Sequence, residues 1–181
     1  YDPALVLDFQ GGSALPTFSG GFSTHVGFYD AYIDLNFFYS GGNKVFEDWS
    51  FYTHHAGLYT LLYYNGVQEM MNRWQQPGDI TDEPILVSNT TGNNASRPST
   101  RFLYEGDYIR LKDMVIGYSL PSSIESKIGF ADISVFMRGT NIWTWVKDKG
   151  LKYDPEVRAD GYTRLTTPPV KSIVFGLNLK F

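Results

Sequence analysis

The chain has 181 residues, enough for one ordinary core, with 17% aromatic side chains, 18 glycines and no cysteine. The missing thiols exclude disulfides, thiolate metal sites and cysteine nucleophiles. A formal charge of −4 without a basic run argues against nucleic acid as a partner. The first patterned segment covers about 17–28, where Phe18, Phe22, Val26 and Phe28 oppose Ser19, Gly21, Ser23, His25 and Gly27. Strict alternation of this kind marks a strand with unlike faces. A tight turn near Tyr29-Asp30 leads to a second strand at about 31–40. There Ile33, Leu35, Phe37 and Tyr39 oppose Asp34, Asn36 and Ser40, with Phe38 intruding on the polar side.

A long link of about 41–101 follows. In it Leu58, Leu61, Leu62, Met70, Met71 and Trp74 recur near helical spacing, which predicts a helix over about Ala56 to Arg73, ended by Pro77-Gly78-Asp79. Ser88 to Thr100, rich in Asn, Ser and Thr, reads as loop. The third strand, about 107–120, sets Met114, Ile116, Tyr118 and Leu120 against Asp113, Val115, Gly117 and Ser119. After a shorter link, Pro121 to Ala131, the fourth covers about 131–142, with Phe136 on its polar face. A second long link, about 143–169, precedes the last strand at about 170–181, where Ile173, Phe175, Leu177, Leu179 and Phe181 alternate with Ser172, Val174, Gly176, Asn178 and Lys180.

Each segment is near the ten or so residues that a strand tilted by roughly 45° needs to cross a bilayer. Links alternate short and long, as periplasmic turns and extracellular loops do in outer-membrane barrels. The predicted class is therefore all-β: about five strands of a large antiparallel transmembrane β-barrel, with one short helix in a long extracellular loop. Parity puts the chain's end on the periplasmic side. Even the smallest barrels use about eight strands, so the chain is expected to be incomplete by itself. Its opening Tyr1-Asp2-Pro3 fits a processed product or a fragment. Met114, Ile116, Tyr118, Ile173, Phe175, Leu177 and Leu179 are the expected lipid-facing residues, and the opposite face would line a wet lumen.

Trp143, Trp145, Tyr153 and Tyr162 fall together in the second long link and are candidates for ligand contact, since flat aromatic faces stack on sugar rings or grip peptide side chains. Loop packing, or a belt at the membrane interface, is the commoner use of such residues. Arg110 and Lys112 share the parity of the lipid-facing residues and would meet lipopolysaccharide phosphates. Asp154, Glu156 and Asp160-Gly161 do not form a calcium loop, because Arg158 and Ala159 stand where a ligand and a glycine are needed; an ion pair with Arg158 or Lys152 is expected instead. Adjacent His54 and His55 would point about 100° apart on a helix, so they read as polar residues at the surface rather than as metal ligands. His25, on the lumen face, should be a hydrogen-bonded structural residue. There is no Gly-x-Ser-x-Gly, P-loop or dinucleotide fingerprint. No catalytic residue, metal or cofactor is expected, and the chain is read as no enzyme.

Several blocks are familiar as a set. Arg101-Phe102-Leu103 with Gly106-Asp107-Tyr108-Ile109-Arg110-Leu111-Lys112-Asp113 resembles the "SRFLEDGSYLRLKN" block of SusC/RagA-type TonB-dependent transporters. Gly117-Tyr118-Ser119-Leu120-Pro121 resembles the "LGYTLP" after it. Arg138-Gly139-Thr140-Asn141-Ile142-Trp143-Thr144-Trp145 is similar to "SGQNLFTWT", Tyr153-Asp154-Pro155-Glu156-Val157 to "YDPEV", and Phe175 to Phe181 to the "FGLNLTF" terminus. Asn72-Arg73-Trp74, Asp82-Glu83-Pro84 and Pro16 to Phe22 also match, in order, along nearly the whole chain.

The resemblance implies the C-terminal part of a nutrient transporter for glycans or oligopeptides in the bacterial outer membrane. It implies as partners the remaining barrel and plug, TonB acting through an N-terminal part, a SusD-like surface lipoprotein, and outer-membrane lipid and lipopolysaccharide. It also implies that Phe181 is a signal for membrane assembly. Two alternatives stand beside it. A soluble β-sandwich carbohydrate-binding module should carry Lys- and Glu-rich solvent faces and has no reason to alternate short and long links. A passive porin shares the barrel and differs in lacking a plug.

Overall fold

A computed structural model of the chain describes residues 9–54, 56–57, 65–87, 98–164 and 166–180. Five long strands form one antiparallel sheet: β1 (Phe18–Phe28), β2 (Ala31–Gly41), β5 (Tyr108–Ser119), β6 (Asp132–Val146) and β7 (Ser172–Lys180), adjacent in that order. Two short strands, β3 (Lys44–Phe46) and β4 (Leu103–Glu105), pair separately. Among the described residues the helices are α1 (Asp48–Thr53) and α2 (Ser122–Ile128), with 3-10 turns at Gln68–Asn72 and Thr100–Phe102. The described residues gather into two compact units. One holds β3, β4, α1 and both 3-10 turns, from residues 9–15, 43–105 and 150–166; the other holds the five-stranded sheet and α2.

The sheet follows the chain order of its strands, each beside its sequence neighbour once the β3–β4 insertion is set aside. β1 and β2 form a hairpin in continuous register from Phe18↔Gly41 to Phe28↔Ala31. Its turn holds Tyr29 at a left-handed φ of 52°, as two-residue hairpin turns require, and the Asp30 carbonyl accepts a bond from Ser119 N–H (2.8 Å). Between β5 and β6 the short link contains α2, which alternation alone left as plain link. Pro121 fixes an extended entry, and Gly129 at φ 81° ends the helix while Phe130 N–H returns to the Glu125 carbonyl (3.1 Å). The buried Glu125 carboxylate then accepts Ile133 N–H at 2.7 Å, tying the link to β6.

One irregularity reorganises the sheet. Asn36 pairs with Asp113 but Phe37 pairs with Leu111, so Lys112 is an extra residue on β5. β6 answers with its own displacement: Asp113 pairs with Thr140 and Leu111 with Trp143, with Asn141 between them at a left-handed φ of 53°. The bulge lets β6 run on to Val146, where alternation predicts an end near 142. Trp143 and Trp145 are therefore strand residues, and the expected loop of about 143–169 starts only after Val146.

The helix expected over Ala56 to Arg73 is not found in the described part of that range. Gly57 has φ 110°, Val67 is extended, and only Gln68–Asn72 coil, as a 3-10 turn; residues 58–64 lie outside the described residues. Among the described residues of this link the α-helix is α1, which lies earlier, with Asp48 in its first turn. Among the described residues no helix is long and apolar enough to cross a membrane, which leaves strand crossing untouched.

Val45, Ala56, Phe102 and Leu151 give the smaller unit a true core. The large sheet buries Tyr108, Leu111 and Ile133 but leaves most of its apolar side chains exposed. Phe175 is 77% exposed, Leu177 57% and Ile116 41%, and no second sheet among the described residues covers them.

Candidate functional site

Residues opposed in an antiparallel register share a face. Register thus sorts the sheet from its pairing alone. One face carries Val26, Ile33, Ile116, Met137 and Phe175 in a single row, flanked by a row of Phe28, Ala31, Tyr118, Val135 and Leu177. Ile173 and Met114 flank it on the other side, and Leu179 lies opposite Ile133. All seven residues expected to face lipid therefore lie on one surface, the apolar one.

Aromatic rings close this surface at both ends. Beyond the bulge it continues as Phe22, Phe37, Leu111 and Trp143, then Tyr39, Ile109 and Trp145. Phe22 and Phe37 stack at 4.8 Å. At the other end Phe28 and Tyr29 meet edge to face at 4.6 Å near Tyr118.

The opposite face is polar and organised in cross-strand pairs. Ser23 Oγ donates to Asn36 Oδ1 (2.7 Å), His25 Nδ1 meets Asp34 Oδ1 (2.6 Å), Arg138 Nε donates to Asp113 Oδ1 (2.6 Å), and Asn178 Nδ2 donates to Ser134 Oγ (3.2 Å). A shallow depression of about 500 Å³ opens over Ser23, His25, Asp34, Asn36, Asp113 and Arg138. His25 is bonded on this face, as expected of a structural histidine. The ion pair from Arg138 to Asp113 had no signal in the sequence, because the partners lie 25 positions apart and meet only through register.

Two aromatics that interrupt this polar face have a steric explanation. Gly27, Tyr32, Gly117, Phe136 and Gly176 are successive register partners across the sheet. A Cβ at Gly117 would overlap the Tyr32 ring, and one at Gly176 would overlap the Phe136 ring. The rings lie flat over backbone that only glycine leaves bare, so they add apolar contact without projecting from the wall.

Arg110 does not share the lipid-facing parity. The bulge at Lys112 exchanges the faces: Arg110 pairs with Phe38, on the polar side, while Leu111 takes the apolar side. Arg110 is only 2% exposed, its guanidinium 5.6 Å from the Tyr108 ring, and Lys112 Nζ lies 5.6 Å from the Phe38 ring. Lipopolysaccharide phosphates on the apolar side are out of reach for Arg110.

The four aromatic ligand candidates do not form one cluster. Trp143 and Trp145 sit on the apolar face of β6, with Lys149 Nζ 5.2 Å from the Trp145 ring. Tyr153 and Tyr162 belong to the smaller unit, where Tyr162 bridges to Phe46 and packs its ring 5.3 Å from it. Burial, with the Glu47 charge, pushes the Tyr153 phenol up. Arg158 pairs with Asp160 at 3.1 Å, the kind of ion pair expected there.

His54 is not a free surface residue. Its Nδ1 meets Glu83 Oε1 at 2.8 Å, and Arg101 binds the other Glu83 oxygen and the His54 carbonyl. Burial alone would push the Glu83 carboxyl up; the His54 bond and the Arg101 charge more than offset it, and its pKa is lowered. Glu47, 1% exposed, goes the other way, pushed up by burial against the weaker pull of Ser50, His54, Tyr104 and Lys152. His55 and Phe181 lie outside the described residues. Among the described residues no group of three or more metal-ligating side chains is assembled.

No family model matches the chain. It is 27% identical over 184 residues to TonB-dependent receptor P3 of Formosa agariphila, covering 94% of this chain and 17% of the relative. TonB-dependent receptor P39 of the same organism is 28% identical over 177 residues, again 94% of this chain and 17% of the relative. In fold it is similar to the RagAB peptide transporter, with TM-score 0.77 and 26% identity over 94% of this chain and 18% of that one. The RagAB peptide importer in its "closed-closed" state gives TM-score 0.74 and 25% identity, with the same coverage. The chain thus spans 17% of the length of these curated relatives.

Proposed function

We propose that this chain, a segment of a TonB-dependent receptor of the RagA type, forms wall and loops of an outer-membrane importer for oligopeptides or glycans. One observation carries the reading: a single sheet holds an exposed apolar face rimmed by aromatics and, behind it, a face of paired polar groups. Lipid covers the first and a wet lumen the second, an arrangement that antiparallel strands satisfy only within a barrel wall. Met114, Ile116, Tyr118, Ile173, Phe175, Leu177 and Leu179 are the lipid contacts. Trp143 and Trp145 belong to the interfacial belt rather than to a ligand site. The rest of the barrel, a plug, TonB and a SusD-like lipoprotein complete the machine, with Phe181 serving assembly. The peptide-importer neighbours favour an oligopeptide cargo.

Such a protein lowers the barrier to entry of solutes too large for open pores by enclosing them between loops and releasing them when the plug is remodelled. The residues described here supply enclosure and lining, not energy coupling. The test is uptake by cells expressing the full-length chain. Labelled oligopeptide and oligosaccharide should accumulate, one in preference to the other, and accumulation should stop without TonB. Uptake that continues without TonB makes the chain part of a passive pore, and recovery of the full-length protein in the soluble fraction overturns the membrane reading altogether.

A further inference from the structure

The row of glycines and rings is open at one end. Tyr32 on β2 lies over Gly117 on β5, and Phe136 on β6 lies over Gly176 on β7. Both rings sit on the polar face, and β2 and β6 run in the same direction, so each ring crosses to the following strand. On the apolar face the same strand leans the other way: Tyr39 of β2 lies over Gly20 of β1. The oppositely directed β1 sends Phe18 on that face over Gly41 of β2. Strand direction and face together set the lean, as they must when side chains incline along a strand in a sheet of one-handed twist.

Gly27 begins the row on β1, and it lacks its ring. Tyr32, its register partner, turns away to Gly117, and among the described residues only His25 Nε2 comes near a Cβ built at Gly27, at 3.6 Å. Among the described residues β1 pairs with β2 alone, leaving its other edge open. A strand added there antiparallel to β1 runs in the direction of β2 and β6. A ring on its polar face leans toward β1.

We propose that the strand pairing with the outer edge of β1 carries an aromatic residue opposite Gly27, whose ring lies over that glycine as Tyr32 lies over Gly117. The proposal rests on the reading that the sheet continues as a barrel wall, and it adds the chemistry and register of the neighbour. An aliphatic or small side chain in that place would leave the Gly27 backbone bare beside a lumen lined with rings.

The test uses the full-length protein in detergent, read by heat-modifiable gel mobility and by its thermal midpoint. Gly27→Val should lower the midpoint by several degrees, as Gly117→Val does, while Ser19→Val on the same strand and face should change it by a degree or less. Gly27→Val behaving like Ser19→Val overturns the proposal. If Gly27→Val does not assemble, Gly27→Ala is combined with alanine at the aromatic aligned opposite Gly27. A double variant less destabilised than the sum of the singles supports the contact, and strict additivity overturns it. A wild-type chain without heat-modifiable mobility overturns the barrel reading itself, whereas a normal barrel indifferent to Gly27 overturns only this inference.

Discussion

Arginine at Ile116 should damage the protein far more than arginine at the neighbouring Val115. Ile116 is 41% exposed on the sheet and lies in the apolar row between Ile33 and Met137. Val115 faces the other way, registered with Asp34 and Arg138 beside the polar depression. An arginine turned to lipid inside the apolar band costs about 2–3 kcal/mol, less than the bilayer-centre maximum because Tyr118 and the aromatic rim stand close by. Loss of the isoleucine's contact with lipid adds about 1 kcal/mol, scaled to its exposed part. The sum, about 3–4 kcal/mol, corresponds to a folding equilibrium weakened by roughly a hundred- to a thousand-fold. Val115→Arg adds a cation between Asp34 and Arg138 on the polar face, attraction to the first offset by repulsion from the second, and should cost about 1 kcal/mol or less. Both variants of the full-length protein are refolded into lipid vesicles and titrated with denaturant. Equal losses, or a larger loss at Val115, would refute the assignment of faces.

Other outcomes follow from single contacts. Arg101→Ala should weaken the tie among His54, Glu83 and Arg101 by about 1–2 kcal/mol, seen as faster hydrogen exchange at Trp74 N–H, which donates to the Glu83 carbonyl. Because the folded-state pKa of Glu83 is lowered, its stabilisation is complete above the ordinary carboxylate value and is lost as pH falls through the lowered one; the protection of Trp74 N–H, its exchange rate relative to an unfolded amide at the same pH, should fall across that acid window and stay flat above it. Glu47 has the opposite sign. Its raised pKa favours the fold below the ordinary carboxylate value and is a liability as pH rises through the raised one, so Glu47→Gln should slow exchange at Glu47 N–H near neutrality and change little in acid. Gly129→Ala, at φ 81°, should cost about 1 kcal/mol in the denaturant titration. On the proposed belt reading, Trp143 and Trp145 should be quenched by brominated lipid, and their replacement by Phe should leave cargo affinity within about twofold.

Much of the sheet was legible because period-two alternation is a property of each strand by itself. The apolar and polar sets of β1, β2, β5 and β7 are the sets that register later brings together. What alternation does not reveal is an inserted residue. Counted in twos, Arg110 belongs with Met114, and only the pairing of Leu111 with Phe37 exposes the slip. Phe136 reads as a fault in the polar face for a related reason: the glycine that accommodates its ring lies 40 positions along the chain, on another strand. The smaller unit was the least legible. Its Glu83, His54 and Arg101 are brought together by irregular backbone, which leaves no period to read, and the apolar spacing at Met70, Met71 and Trp74 reads as helix where the described residues make one 3-10 turn.

The extra residue on β5 also says how the gene can change. Elsewhere in the chain, adding or losing a codon in a link alters only a link's length. At Lys112 a single lost codon would remove the bulge yet leave Leu111 two positions from Met114 and Arg110 two from Asp113, so both faces survive, whereas a codon lost within a regular stretch of β5 would exchange them. Descent can therefore vary strand length at this one point while holding it fixed in the regular stretches on either side, and an alignment that opens a gap there still matches like surfaces.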